Sequence, residues 1–91
     1  MRSPTYRTLE DWILGRILRH PSSAHSMPAH MLEAPPEYLL ANEYDARETL
    51  TELRNAALIA AHSRRWYLTT KGKKRAREAV KVAQDPHAVR A

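Results

Sequence analysis

The residues best equipped for chemistry crowd into one stretch, RRWYLTTKGKKRA, residues 64 to 76. Arg64 and Arg65 are followed, after a short aromatic-aliphatic alternation, by Lys71, Lys73, Lys74 and Arg75, and His62 stands just ahead of them. Cations at this density hold an anion, and a phosphate backbone is the anion that meets many of them at once. Four of these cations fall in the opening turns of an expected helix. There they oppose the helix dipole by about 0.3–1 kcal/mol each where exposed. A sequence selected for stability alone would favour acids at that place. A phosphate near that end offsets the mismatch and meets free backbone N–H groups. The bland alternative is a set of solvated lysines at a helix start. Trp66 and Tyr67 have rings that stack on bases, but Trp66 shares a strand face with Leu68 and is assigned to the core.

Other chemistries find little support. There is no cysteine, so disulfides and thiolate metal or redox sites are excluded. His20, His25 and His30 are spaced by five, which places them on no common helix face, and no close His pair is present. Glu33 and Glu37 have helical spacing but are separated by Pro35 and Pro36. Nucleophile elbows, glycine-rich phosphate loops and paired catalytic carboxylates are absent from the sequence. The expectation is a non-enzyme with no cofactor and no metal.

Charge is distributed unevenly. The chain has 91 residues and a net charge of +5. Residues 21–60 carry two basic residues against six acids, a net −4, whereas residues 61–91 carry nine basic residues against Glu78 and Asp85, a net +7. Such asymmetry points to an anionic partner for the C-terminal third. No apolar run approaches the roughly 18 residues of a membrane span, and the N-terminus lacks the apolar stretch of a signal peptide. A soluble cytoplasmic protein with no membrane partner is expected.

The elements that must position these cations follow from periodicity and caps. Residues 1–7 are expected to form an arm, 8–83 one domain, and 84–91 a flexible tail. Thr8 caps a helix whose Leu9, Trp12, Ile13 and Ile17 recur at helical spacing, and Pro21 stops it. Gly15 inside that helix suggests a close helix crossing. Ser26 is placed as the cap of a short second helix, MPAHMLEA, with Leu39 and Leu40 as later anchors. Asn42 or Asp45 caps a helix over 43–57, with Ala46, Leu50, Leu53 and Ala57 inward. LIAAH and RWYLT form a hairpin turning at Ser63 and Arg64. Thr69 or Thr70 then caps a final helix with a stripe of Ala76, Ala79, Val80 and Ala83. Two strands cannot stand alone, so the hairpin must lean on the helices. The fold class is a small α+β domain, a three-helix base with a two-stranded hairpin and a C-terminal helix.

The run LTELRNAALIAAHSRRWYLTTKGKKRA resembles the winged-helix DNA-binding domains of MarR-like and PadR-like bacterial regulators. Leu50, Leu53, Ala57, Leu58 and Ile59 resemble the phrase that ends the family's recognition helix, with Ala57 where the family often has glycine. Trp66, Tyr67, Leu68, Thr69, Thr70, Lys71 and Gly72 resemble its aromatic-x-Leu-Thr-x-Lys-Gly phrase. The resemblance implies a transcriptional regulator that sets helix 43–57 in the major groove of double-stranded DNA and the basic 62–75 wing region on the backbone. It would then offer Tyr44, Arg47, Thr51 and Asn55 to the bases and His62, Arg64, Arg65, Lys71, Lys73 and Lys74 to phosphates. Arg47 suits guanine, Asn55 adenine, and Thr51 a phosphate or thymine methyl. Against this, Glu43, Asp45, Glu48 and Glu52 make the helix net negative. The alternative is a winged-helix interaction module that holds a protein partner through the acidic helix 43–57. A homodimer through Val80, Val82 and Ala83 is a further expected partner.

Overall fold

The computed structural model describes residues 5–21 and 25–84. The start of the expected arm, including Arg2, lies outside the described residues, as do positions 22–24 and all of the expected tail beyond Gln84. Helix α1, Leu9–Arg19, begins where the Thr8 hydroxyl accepts the Asp11 N–H at 3.1 Å. Its Trp12, Ile13, Leu14 and Ile17 are buried. Tyr6 departs from the polar-arm expectation: it is 6% exposed and joins the core. Its backbone N–H donates to the Tyr38 hydroxyl at 2.9 Å. A Cβ added at Gly15 would meet the Tyr6 ring at 2.4 Å. The glycine therefore makes room for an incoming tyrosine, not for a crossing helix.

The expected second helix is corrected. Ser26–Pro28 is a strand, β1, and only the short 3-10 helix Ala29–Leu32 follows it. Pro28 explains this: the residue before a proline is pushed out of the α region, and Pro28 itself has an extended ψ of 140°. Proline is tolerated here because β1 is an edge strand. The hairpin expected as two strands is thus part of a three-stranded antiparallel sheet, ordered β1, β3 (Arg65–Leu68), β2 (Ile59–His62). Met27 sits opposite Trp66, and Ile59 opposite Leu68. Met27, Ile59 and Leu68 are buried, while Trp66 packs on the core from its edge. The class is a small α+β domain with three α-helices and this sheet.

Helix α2 spans Glu43–Asn55 and is capped by Asn42. The Asn42 side chain accepts the Asp45 N–H and the Asp45 carboxylate accepts the Asn42 N–H, both at 2.9 Å. Asp45 is thus the third residue of a capping box, not its start. Leu40, expected as an anchor, has a left-handed φ of 52° and is 93% exposed; Leu39 does pack on the core. At the far end the Leu58 N–H donates to the Leu53 carbonyl and the Ala57 N–H to that of Arg54, both at 3.0 Å. This pair of bonds closes α2 two residues earlier than expected, and it sets Ala57 at φ 62°. Glycine is the residue suited to that conformation. Ala57→Gly is therefore expected to raise folding stability by about 0.5–1 kcal/mol, read by urea unfolding.

Helix α3, Thr70–Gln84, lies against α1. Ala76 and Ala79 are buried between them, and Val80 and Ala83 lean on the same core. The small-residue stripe of Ala76, Ala79, Val80 and Ala83 therefore packs within the chain, whereas Val82, expected with Val80 and Ala83 to support pairing, is not part of that core. Among the described residues no helix is long and apolar enough to cross a membrane, and no group of His, Asp and Glu is arranged to hold a metal ion.

Candidate nucleic-acid interface

The hairpin turns in two residues. Ser63 and Arg64 both have positive φ, 50° and 61°, between the facing pair His62 and Arg65. That is the turn geometry which matches strand twist and which Asn-Gly usually fills. Here a serine and an arginine occupy it. The Arg64 side chain is exposed and has no partner among the described residues, while its carbonyl accepts the Ala29 N–H at 3.0 Å. The backbone is thereby pinned and the guanidinium is held outward.

Arg65 behaves differently. It is half-buried and donates to the Ser26 hydroxyl at 3.1 Å and the Ser26 carbonyl at 3.3 Å. It ties β3 to β1 and is partly withdrawn from solvent. His62 is exposed, its ring 6.4 Å from that of Tyr67 on the same outer face.

The start of α3 is built by contacts that the sequence only hints at. The Thr69 hydroxyl accepts the Gly72 N–H at 3.0 Å and approaches the carbonyls of Ala57 and Leu58 at 2.6 and 3.1 Å. Lys71 Nζ reaches the Ala56 carbonyl at 3.4 Å. That carbonyl belongs to the negative end of α2, so the lysine placed against one helix dipole is compensated by another. Lys71 is therefore engaged, whereas Lys74 is exposed and Lys73 half-exposed. Arg77 and Lys81 are exposed as well. With Lys73 they recur every four residues on one helix face, a spacing that marks them as part of the cationic surface although the phrase-based reading passes over them.

No family model, curated protein or solved structure matches this chain. The assignment of its surface rests on charge and geometry.

Helix α2 brings its outward side chains together as expected, but not all are free. Arg47 is held by Glu33 at 2.8 Å and by Glu43 at 2.6 Å. The hydrogen bond from Arg47 to Glu33, then the charge of Glu43, raise the guanidinium pKa further. Thr51 donates its hydroxyl to the Arg47 carbonyl at 3.1 Å. Tyr44 is 71% exposed and Asn55 is exposed. Before Arg47 reached a guanine both ion pairs would have to open. Were α2 to dock on duplex DNA, Arg47→Ala would accordingly be expected to leave base preference unchanged, with the same sequences enriched from a random duplex pool. Asn55→Ala is the substitution expected to relax it at one or two base pairs.

Proposed function

We propose that this chain is a double-stranded DNA-binding regulator of the winged-helix kind. The hairpin tip and the exposed face of α3 lie on the phosphate backbone, and α2 offers Tyr44, Thr51 and Asn55 to the major groove. One observation carries this reading. At the apex of the hairpin an arginine occupies a left-handed position that glycine would take with less strain, and its charge is directed to solvent. Ala57 and Ser63 share that backbone conformation, so the weight falls on the charge, an exposed guanidinium at the hairpin apex with no partner among the described residues. The surrounding charge agrees: residues 61–84 hold eight basic residues against Glu78 alone. Among the described residues the one carboxylate contact to that set is Asp11 with Arg75, at 3.9 Å. The acidic face of α2 then limits how closely the helix meets phosphate and leaves affinity to the hairpin and α3.

A second reading has its own support. Leu40 is 93% exposed and Tyr44 71% exposed at the head of α2, beside Glu43 and Glu48. Exposed apolar side chains with acids next to them in the sequence suit a basic protein surface. A binding titration on random duplex pools at two salt concentrations separates the two. Salt-sensitive duplex binding supports the regulator. Little duplex affinity together with a stable protein complex supports the interaction module.

A further inference from the structure

Tyr6, one face of α1 from Trp12 to Arg19 and the connection over 34–38 line an open cleft of about 470 Å³. That lies within the range of about 300–1,000 Å³ typical of small-molecule sites. Its chemistry is set by three rings, Tyr6, Trp12 and Tyr38, and by Arg16, Arg19 and His20. Among the described residues no carboxylate lines it. Tyr6 and Trp12 are each 6% exposed and form the floor, whereas Tyr38, at 48%, presents an open ring. Arg16 stands 6.0 Å from the Trp12 ring centroid, at the outer limit of a cation–π contact.

The charges in this cleft lack counterions. Arg16 and Arg19 lie one helical turn apart, are exposed, and form no ion pair among the described residues. Among the described residues His20 Nδ1 is buried without a hydrogen-bond partner, as is His25 Nδ1 outside the cleft, a condition that native structures seldom leave uncorrected. Burial raises the pKa of the Tyr6 hydroxyl, with the charge of Arg19 and its hydrogen bond to that hydroxyl acting against it, so the hydroxyl stays neutral and anchors Arg19 at the edge of the floor. Two guanidiniums without a carboxylate over-match a single carboxylate charge. A phosphate monoester, at about −1.5 to −2, matches them and accepts the bidentate bonds that arginine makes. An open tyrosine ring beside them stacks a flat aromatic group.

We propose that the cleft binds a small aromatic phosphate of the nucleoside monophosphate class, its phosphate on Arg16 and Arg19 and its ring against Tyr38. None of these residues belongs to the proposed DNA surface, so the two ideas stand or fall separately. Isothermal titration of the unaltered chain with AMP, adenosine and ribose 5-phosphate tests it. AMP is expected to bind at least about tenfold more tightly than either fragment, because ring and phosphate contribute together. The double variant Arg16→Gln, Arg19→Gln is expected to weaken AMP binding by at least about tenfold with its far-ultraviolet circular dichroism unchanged. AMP binding no tighter than ribose 5-phosphate would overturn the proposal, as would full AMP affinity in the double variant. Arg64→Gly is expected to leave AMP affinity intact; a loss there would move phosphate binding to the hairpin and also overturn it.

Discussion

Gly72→Ala is expected to destabilise the domain by about 3 kcal/mol, at the upper end of what overpacking a tight site does. Helix propensity alone predicts the opposite sign, a gain of about 1 kcal/mol. The reversal comes from what faces the glycine. A Cβ built there lies 1.8 Å from the Leu58 carbonyl oxygen and 2.8 Å from its carbon. Both are backbone atoms, and no rotamer change moves them aside. The same oxygen accepts the Thr69 N–H at 3.1 Å and is also approached by the Thr69 hydroxyl. Pushing α3 away therefore breaks the junction between the end of α2 and the start of α3. Gly15→Ala provides the comparison: its obstacle is the Tyr6 ring, a side chain able to swing, so the smaller loss belongs there. Urea unfolding of the two variants reads the difference. A Gly72→Ala chain as stable as its parent would remove the junction from this account.

That junction also changes the weight of the Thr-Thr-Lys-Gly phrase. Thr69 ties three backbone groups together, Gly72 permits close approach, and Lys71 reaches the last turn of α2. Packing explains these three residues without a ligand. The proposed nucleic-acid role accordingly rests on Arg64, Lys73 and Lys74, with Arg77 and Lys81 beyond them.

The sequence discloses those elements whose signals are local. Thr8, the period of Leu9 to Ile17 and the stop at Pro21 define α1 to within a residue. The alternation from Arg65 to Leu68 defines β3, and Trp66 faces Met27 as a core side chain should. Strand β1 is hidden because three residues ending in proline contain no alternation to detect. Its existence is dictated by the free edge of β3, which is a tertiary fact. Tyr6 is hidden for a related reason, since a single ring among polar neighbours has no period. Its partner Gly15 hints at a close contact but not with what. The turn at Ser63 and Arg64 is legible as the break between the two strand patterns, but its left-handed backbone is not, because no glycine stands there to signal it.

The candidate interface divides the same way. The cluster from Arg64 to Arg75 is plain in the sequence, and so is the Glu43–Arg47 pair at helical spacing. The second carboxylate on Arg47 is not. Glu33 lies 14 positions away and arrives only because the 3-10 turn and the connection before α2 fold back. The engagement of Arg65 by Ser26 spans 39 positions and depends on β1, so the strand that the sequence conceals also decides how far this arginine is withdrawn from solvent. Long-range hydrogen bonds decide which cations are free, and charge counts do not register them.

Arg64 is the residue for which stability and binding should move in opposite directions. With about five phosphates neutralised, log K is expected to fall against log salt with a slope near −4 to −5, a loss of several hundredfold between about 50 and 200 mM. Arg64→Gly removes one cation and reduces that slope by about 0.9. Binding to every duplex sequence weakens alike, since a phosphate contact carries no base information. At the same time the turn is relieved, because a left-handed arginine costs about 1–2 kcal/mol against glycine's freedom there. After glycine's own entropy is subtracted, urea unfolding should report a gain of about 0.5–1 kcal/mol. Arg64→Lys keeps both the charge and the strain, so it should retain most of the affinity and none of the added stability. A cation retained only for solubility would give a different pattern: Arg64→Gly would stabilise the hairpin and leave the duplex titration where it was. That single result would separate the arginine from the DNA, and the regulator reading would lose the residue on which it depends.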